Sequence, residues 1–200
     1  MMKNMYKQEY SEILNIFYGI SVTQIKDYIN SDILSISPEP FSILSLSIPK
    51  KNNCTIEDCF DEYTNNEYLI EDNQWYNDKK EEKQDAIKST VFWSLPNVLI
   101  IELKRYNNNQ QKIHTLVTTP LTDLDLSKYV SGYNSESFVY DLFGTGNHSG
   151  NVYGGHYTAN IKNANGKWYS FNDTLINEIS ETNVISPHTY CLFYRKKNKE

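Results

Sequence analysis

The stretch YGGHYTANIKNANGKWYSFND, Tyr153 to Asp173, carries the residues best suited to acid–base chemistry. His156 stands directly behind Gly154 and Gly155, and the pair Asn172-Asp173 follows further on. An imidazole changes charge near neutral pH, so it can take up and return protons under ordinary conditions. To work as a base it must be held in one tautomer, which an amide or carboxylate oxygen achieves by accepting one ring N–H. Asn172 and Asp173 are both candidates, and the expected bond is from Nδ1–H. The two glycines would let the backbone pass close to a ligand, with no side chain between. Tyr157 and Trp168 are expected to wall the ring. The same residues also occur in ordinary hairpins in which the histidine is structural. On residues alone both readings stand.

The elements that must position His156 follow from alternation and turn chemistry. Apolar and polar residues alternate on both sides of Asn165-Gly166, a strong hairpin signal. Upstream, Phe138 to Gly144 reads as a strand leading into a Gly/Asn/Ser-rich loop, 145–152. Val98 to Tyr106 (VLIIELKRY) is the most continuously apolar run and is expected to be a central core strand. Ile87 to Trp93, Ile113 to Thr118 and Tyr190 to Arg195 read as further strands, and Glu67 to Trp75 as another. Residues 20–32 are loosely strand-like. Phe41 to Pro49 alternates at period two, with Pro38 and Pro40 punctuating its start.

Helices are few. A short one is expected up to Phe17. Thr55 and Asp58 form a capping box ahead of Ile56, Cys59, Phe60 and Tyr63, which share one helical face, so Thr55 to about Asn66 reads as amphipathic helix. The charged run from Asn77 to Asp85 is expected to be a hairpin tip, and Leu121 to Tyr129 a turn or short helical segment. The pattern as a whole is α+β, dominated by antiparallel strands, in one domain of 200 residues.

Composition narrows the partners. A net charge of −6, with basic residues clustered only in the C-terminal RKKNK, argues against nucleic acid. No apolar run is long enough to span a membrane, and no signal peptide opens the sequence. The cysteines Cys54, Cys59 and Cys191 form no CxxC pair; they fit a reducing, intracellular setting and read as core packing.

The stretch from Asn147 to Asp173, together with TYCLFYRK at the end, resembles the histidine box of the ubiquitin-specific proteases, papain-like cysteine deubiquitinases. EPFSILSLSIP (Glu39 to Pro49) is similar to the family's strand after the first finger segment. CTIEDCFDEYTNNEYLIEDNQWY (Cys54 to Tyr76) is similar to its next helix and strand. LPNVLIIELKRY (Leu95 to Tyr106) and KIHTLVTTPLTDLDLSKYV (Lys112 to Val130) resemble its central strand and the segment after it. These motifs occur in the family's order from Phe17 to Lys196. The resemblance implies a sheet-rich fingers-and-palm fold, with fingers over about 17–50 and 67–93 and palm over 95–196. It implies His156 as catalytic base, Asn172 as its orienter and Asp173 as an acid sharing that role. Asn147, His148, Gly154, Gly155 and Tyr157 would border the channel for ubiquitin's Gly-Gly tail. Ubiquitin or its conjugates would be the partner, in cytoplasm or nucleus.

Two departures qualify these expectations. The family's four-cysteine zinc site falls on Tyr28, Ser31, Asn77 and Lys80, which are not a plausible set of structural zinc ligands, so no metal or other cofactor is expected. The family's cysteine box has no counterpart, because the sequence begins roughly where the thumb ends. This chain is therefore expected to be inactive alone and to need a separate thumb segment carrying the thiol. The alternatives are an inactive ubiquitin-binding module or a non-functional remnant.

Overall fold

The computed structural model describes residues 11–132 and 138–197. The part of the expected first helix before Ser11 and the end of the basic tail lie outside them. Ser11 caps α1 (Glu12–Phe17) by accepting the Leu14 N–H. Then come β1 (Gly19–Asp27), β2 (Ile33–Phe41), β3 (Ile43–Ser47) and β4 (Cys54–Thr55), which runs into α2 (Ile56–Thr64). Short strands β5 (Glu67–Leu69), β6 (Trp75–Asn77) and β7 (Glu82–Gln84) precede the longer β8 (Ala86–Ser94) and β9 (Val98–Lys104). After β10 (Val117–Thr118) and β11 (Leu124–Asp125) come β12 (Val139–Asn151), β13 (Gly154–Lys162), β14 (Trp168–Asn172), β15 (Leu175–Ile179) and β16 (Thr189–Lys196).

Two larger sheets hold most of these strands, and β4 with β10 and β6 with β7 form two-stranded ones. One of the larger sheets has the order β2-β1-β8-β5; the other runs β15-β14-β13-β12-β16-β9-β3, with β11 added alongside β12. β9 lies between β16 and β3, as its apolar sequence requires, and it buries Leu99, Ile101 and Leu103 at every second position. The capping box of α2 is formed: Thr55 N–H donates to Asp58 Oδ2 at 2.9 Å, and Asp58 N–H to Thr55 Oγ1 at 3.2 Å. The helix thereby starts where Ile56, Cys59 and Phe60 are all directed inward. Phe60 stacks on Tyr129 with ring centroids 5.1 Å apart and meets Phe92 edge-on at 6.1 Å. Burying a side chain of this kind contributes about 1.5–3 kcal/mol.

Several elements differ from the expectation. Pro38 and Pro40 lie inside β2 rather than ahead of a strand, paired to Val22 and Ile20. β2 is an edge strand, so the missing N–H groups face no partner and the edge is blunted against further pairing. The expected strand over 67–75 is broken at Glu71, whose φ of 54° starts a 3₁₀ turn. Only Val117-Thr118 of the run 113–118 pairs as a strand. β15 has no counterpart in the expectation. The Gly/Asn/Ser-rich stretch expected as a loop continues β12 without interruption to Asn151.

The β6–β7 hairpin occupies the expected tip. Asn77 is buried there; its Oδ1 accepts the Lys79 and Lys80 N–H groups, and its Nδ2 donates to Gln84 Oε1 at 2.9 Å. Gln84 in turn reaches Asp27 on β1. Tyr28 packs edge-on against Tyr68, and Ser31 takes a turn conformation at φ 60°. Tyr28, Ser31, Asn77 and Lys80, the positions expected to match the family's zinc ligands, carry turn and packing roles. Asn77→Ala is expected to leave Gln84 Oε1 and the Lys79 N–H without their partner and to destabilise the chain by about 1–3 kcal/mol, read as a fall in the thermal midpoint.

Candidate active site

Register brings the site together. β12 and β13 are antiparallel, with Ser149 opposite His156 and Asn151 opposite Gly154, so only Val152 and Tyr153 link them. Tyr153 N–H donates to Asn151 Oδ1 across this link. β13 returns into β14 through Ala164-Asn165-Gly166: Gly166 N–H donates to Asn163 O, and Gly166 takes φ 80°, which glycine adopts without a Cβ penalty. The turn is thus a three-residue loop ending in left-handed glycine, not a two-residue Asn-Gly turn. β14 pairs Phe171 with Ala159. One step further sets Asn172 beside Thr158, and His156, two residues on, becomes its diagonal neighbour on the same face.

The His156 ring meets Asn172 there. Nε2 lies 2.6 Å from Asn172 Oδ1. An amide oxygen can only accept, so Nε2 carries the proton and Nδ1 keeps the lone pair. The contact thus uses the nitrogen opposite to the one expected, and it leaves Nδ1 as the basic atom, with no hydrogen bond among the described residues. Asp173 does not share the ring; it turns the chain into β15 at φ 51°. Both His156 and Asn172 are exposed.

Face alternation explains the surroundings. The face bearing His156, Thr158 and Asn160 is the core face, and it is buried around Thr145, Asn160 and Trp168. Toward His156 and Asn172 this face runs out of cover, and Leu175, opposite Asn172, is left 63% exposed. Trp168 lies in the core at the far end of β14, and Tyr157 is on the other face of β13, so neither walls the His156 ring.

The residues expected along a channel divide in two. Gly154, Gly155 and Tyr157 are exposed, whereas Asn147 and His148 are 7% and 4% exposed and their side chains are engaged within the protein. Asn147 Oδ1 accepts the Thr189 hydroxyl at 3.2 Å. His148 Nδ1 lies 3.0 Å from Lys112 Nζ and 3.2 Å from Tyr106 Oη, and its ring packs 4.6 Å from that of Tyr157. Burial, and then the Lys112 charge, hold the His148 pKa below the ordinary imidazole value. With Nδ1 engaged by the Lys112 ammonium, that nitrogen of His148 is not free to act as the base. Lys112, which sequence reasoning did not single out, is thereby part of the site's support.

The two glycines are not equivalent. A Cβ on Gly155 would fall 2.3 Å from His148 Nε2 and 2.3 Å from Ser149 O, while one on Gly154 would meet nothing within 4 Å. Gly155 is required by the packed His148 ring. Gly155→Ala is expected to force β12 and β13 apart and lower the thermal midpoint, at a cost of about 1–3 kcal/mol, with Gly154→Ala close to neutral.

None of the three cysteines can reach the base. Cys54 and Cys59 are fully buried, their sulfurs 3.9 Å apart under α2, and burial pushes both thiols up. Cys191 pairs with Gly146 on β12, three residues from the partner of His156 and on the other face. Strand spacing and rise then put it about 14 Å from His156. Burial, then Glu102, push the Cys191 thiol up to about 11, so little thiolate is present at neutral pH. Among the described residues, no three His, Cys, Asp or Glu side chains cluster to hold a metal ion, and no helix is long and apolar enough to cross a membrane.

The fold defines a class. The family profile described as ubiquitin carboxyl-terminal hydrolase matches residues 2–194, and the chain belongs to that family. It is 36% identical over 163 residues to ubiquitin carboxyl-terminal hydrolase 4 of Pongo abelii, covering 80% of this chain and 17% of that protein. It is 38% identical over 154 residues to ubiquitin carboxyl-terminal hydrolase 15 of Homo sapiens, covering 75% of this chain and 16% of that protein. The chain thus spans about a sixth of the length of these relatives. Among solved structures, a chain of the SAGA DUB module of Ubp8, Sgf11, Sus1 and Sgf73 bound to monoubiquitin superposes with a TM-score of 0.82 at 29% identity, over 96% of this chain and 43% of that one. A yeast SAGA DUB module with a mutant Sgf73 gives a TM-score of 0.82 at 28% identity, over 99% of this chain and 45% of that one. The sheet-rich α+β architecture is therefore the one found in a deubiquitinase module.

Proposed function

We propose that this chain contributes the base and its orienter to thiol-dependent release of ubiquitin from protein conjugates. The observation that carries the reading is the 2.6 Å contact from His156 Nε2 to Asn172 Oδ1, which leaves Nδ1 with a free lone pair on an exposed face. In this role Nδ1 takes the proton of an incoming thiol and later returns it to the leaving amine, while Asn172 keeps the ring in place. The three cysteines of this sequence are committed elsewhere, so the thiol would come from another polypeptide segment. The uncovered end of the core face at His156, Asn172 and Leu175 is where such a segment would pack. Asp173 would add only a diffuse negative charge near the pair.

Gly154, Gly155 and Tyr157 would line the approach of a ubiquitin tail, for which a surface lacking side chains suits a Gly-Gly terminus. The four-stranded sheet corresponds to fingers over about 17–50 and 67–93, and the larger sheet to a palm over 95–196, although β3 pairs with the larger one. Reduced cysteines and a ubiquitin substrate go with cytoplasm or nucleus. A second reading, a module that binds ubiquitin without cutting it, is favoured by the absence of any cysteine near His156.

Ubiquitin bearing a C-terminal electrophile separates these ideas. The chain alone is expected to remain unlabelled. Adding a cysteine-bearing thumb segment of the family is expected to restore cleavage of a ubiquitin conjugate. Binding of ubiquitin with no cleavage in that mixture would favour the second reading; covalent labelling of the chain alone would refute the placement of the thiol elsewhere.

A further inference from the structure

The segment following β9 reaches across to the hairpin that carries His156. Lys112 makes two contacts with one residue of β12: its Nζ donates to the His148 carbonyl at 2.6 Å and lies 3.0 Å from His148 Nδ1. Tyr106, paired with Lys112 in an isolated bridge, adds its hydroxyl at 3.2 Å from the same nitrogen. A cationic ammonium at that distance excludes a proton from Nδ1, so His148 is neutral with its proton on Nε2. The ring so fixed lies over Gly155 and against Tyr157, the two residues flanking His156. A second tie runs from the same segment, where the Tyr153 hydroxyl donates to Gln110 Oε1 at 2.8 Å.

We propose that Lys112 is a positioning residue for the base: by clamping the ring and carbonyl of His148, it holds β13 at the register where His156 meets Asn172. This inference rests on the reading of His156 as the base. Its logic is mechanical. His156 and Asn172 are exposed, and no other described side chain bonds to the His156 ring. The register of β13 near its start is therefore set from the opposite face, where His148 fills the space above Gly155. Besides Lys112 and Tyr106, the titratable groups facing His148 are Tyr157 on β13 and Tyr190 on β16, whose hydroxyl is held by Glu102 at 2.7 Å. None of these groups supplies a counter-charge in direct contact with the His148 ring. A protonated His148 would sit against the Lys112 ammonium, and the clamp would open.

Imidazole nitrogen NMR on the ¹⁵N-labelled full chain, followed from about pH 5 to 8, tests this. At the alkaline end of that range, both wild-type rings are expected to carry their proton on Nε2, with the two nitrogen signals of His156 well separated. Lys112→Met is expected to move the His148 titration upward and to erase most of the His156 separation while the backbone amide spectrum stays folded. Lys112→Arg is expected to restore it. An unchanged His156 separation in a folded Lys112→Met chain would overturn the proposal. Should that variant not fold, Lys112→Gln, which keeps a donor without the charge, decides by the same signals. Averaged His156 signals in the wild type at the alkaline end would instead overturn the base-and-orienter reading itself.

Discussion

His156→Gln is expected to lower ubiquitin release by about 10²–10⁴-fold in an assembly that combines this chain with a cysteine-bearing segment, the range a positioned general base contributes. The glutamine amide can still bond Asn172, but it offers no basic nitrogen where Nδ1 stands. Asn172→Ala leaves the base in place and frees its ring. Loss of alignment of that order costs about a hundredfold, and it is expected in kcat more than in KM. Asn172→Asp should retain most activity, because a carboxylate accepts the same Nε2–H; its negative charge favours the imidazolium and moves the acidic limb of the pH profile upward. Rates measured with a conjugated ubiquitin substrate check all three. Equal rates for wild type and His156→Gln would remove this chain from the chemistry altogether.

The second large effect concerns stability. Arg105, at the end of the central strand run, is fully buried, and among the described residues no carboxylate pairs with it. Its Nε donates to Thr189 O at 2.5 Å, and its Nη1 to Ile113 O and Thr115 O at 3.0 and 2.9 Å. One guanidinium thus ties three carbonyls together, one from the start of β16 and two from the irregular segment before β10. Burial lowers its pKa, yet the guanidinium stays charged. Arg105→Met keeps much of the apolar volume and removes all three bonds. At about 1 kcal/mol for each unmet acceptor the cost is about 3 kcal/mol. For a chain of this size that lowers the thermal midpoint by about 6–12 °C. Arg105→Lys is expected to fare little better, since a point charge cannot fan out to three carbonyls in a plane. Thermal unfolding followed by circular dichroism reads both.

Legibility in the sequence followed locality. The α2 start was readable because Thr55, Asp58 and the apolar face that follows all act within one helical turn and a half. The β9 run was readable because a strand covered on both flanks is apolar throughout. His156 and Asn172 were readable as a pair because both lie on one hairpin. What failed depended on distant partners. Gly146, Asn147 and Ser149 look like loop residues, yet they pair with β13 or β16. Pro38 and Pro40 read as a boundary because the sequence does not say which strand lies at an edge. The choice between Nδ1 and Nε2 is set by the diagonal offset of two strands, which composition does not encode. Lys112 escaped notice because its partner is His148, thirty-six residues away.

The two-residue link between β12 and β13 bears on how this molecule meets proteases. A protease needs several residues of chain drawn out and accessible, and an exposed loop tip of small and polar residues is ordinarily the first to be nicked. Here the ladder is closed to Asn151 and Gly154, and only Val152 and Tyr153 protrude, with the Tyr153 hydroxyl held by Gln110. Cutting between Ser149 and Gly155 would require the hairpin to unzip first. Limited digestion should therefore leave the arm bearing His156 intact for as long as the sheet itself survives.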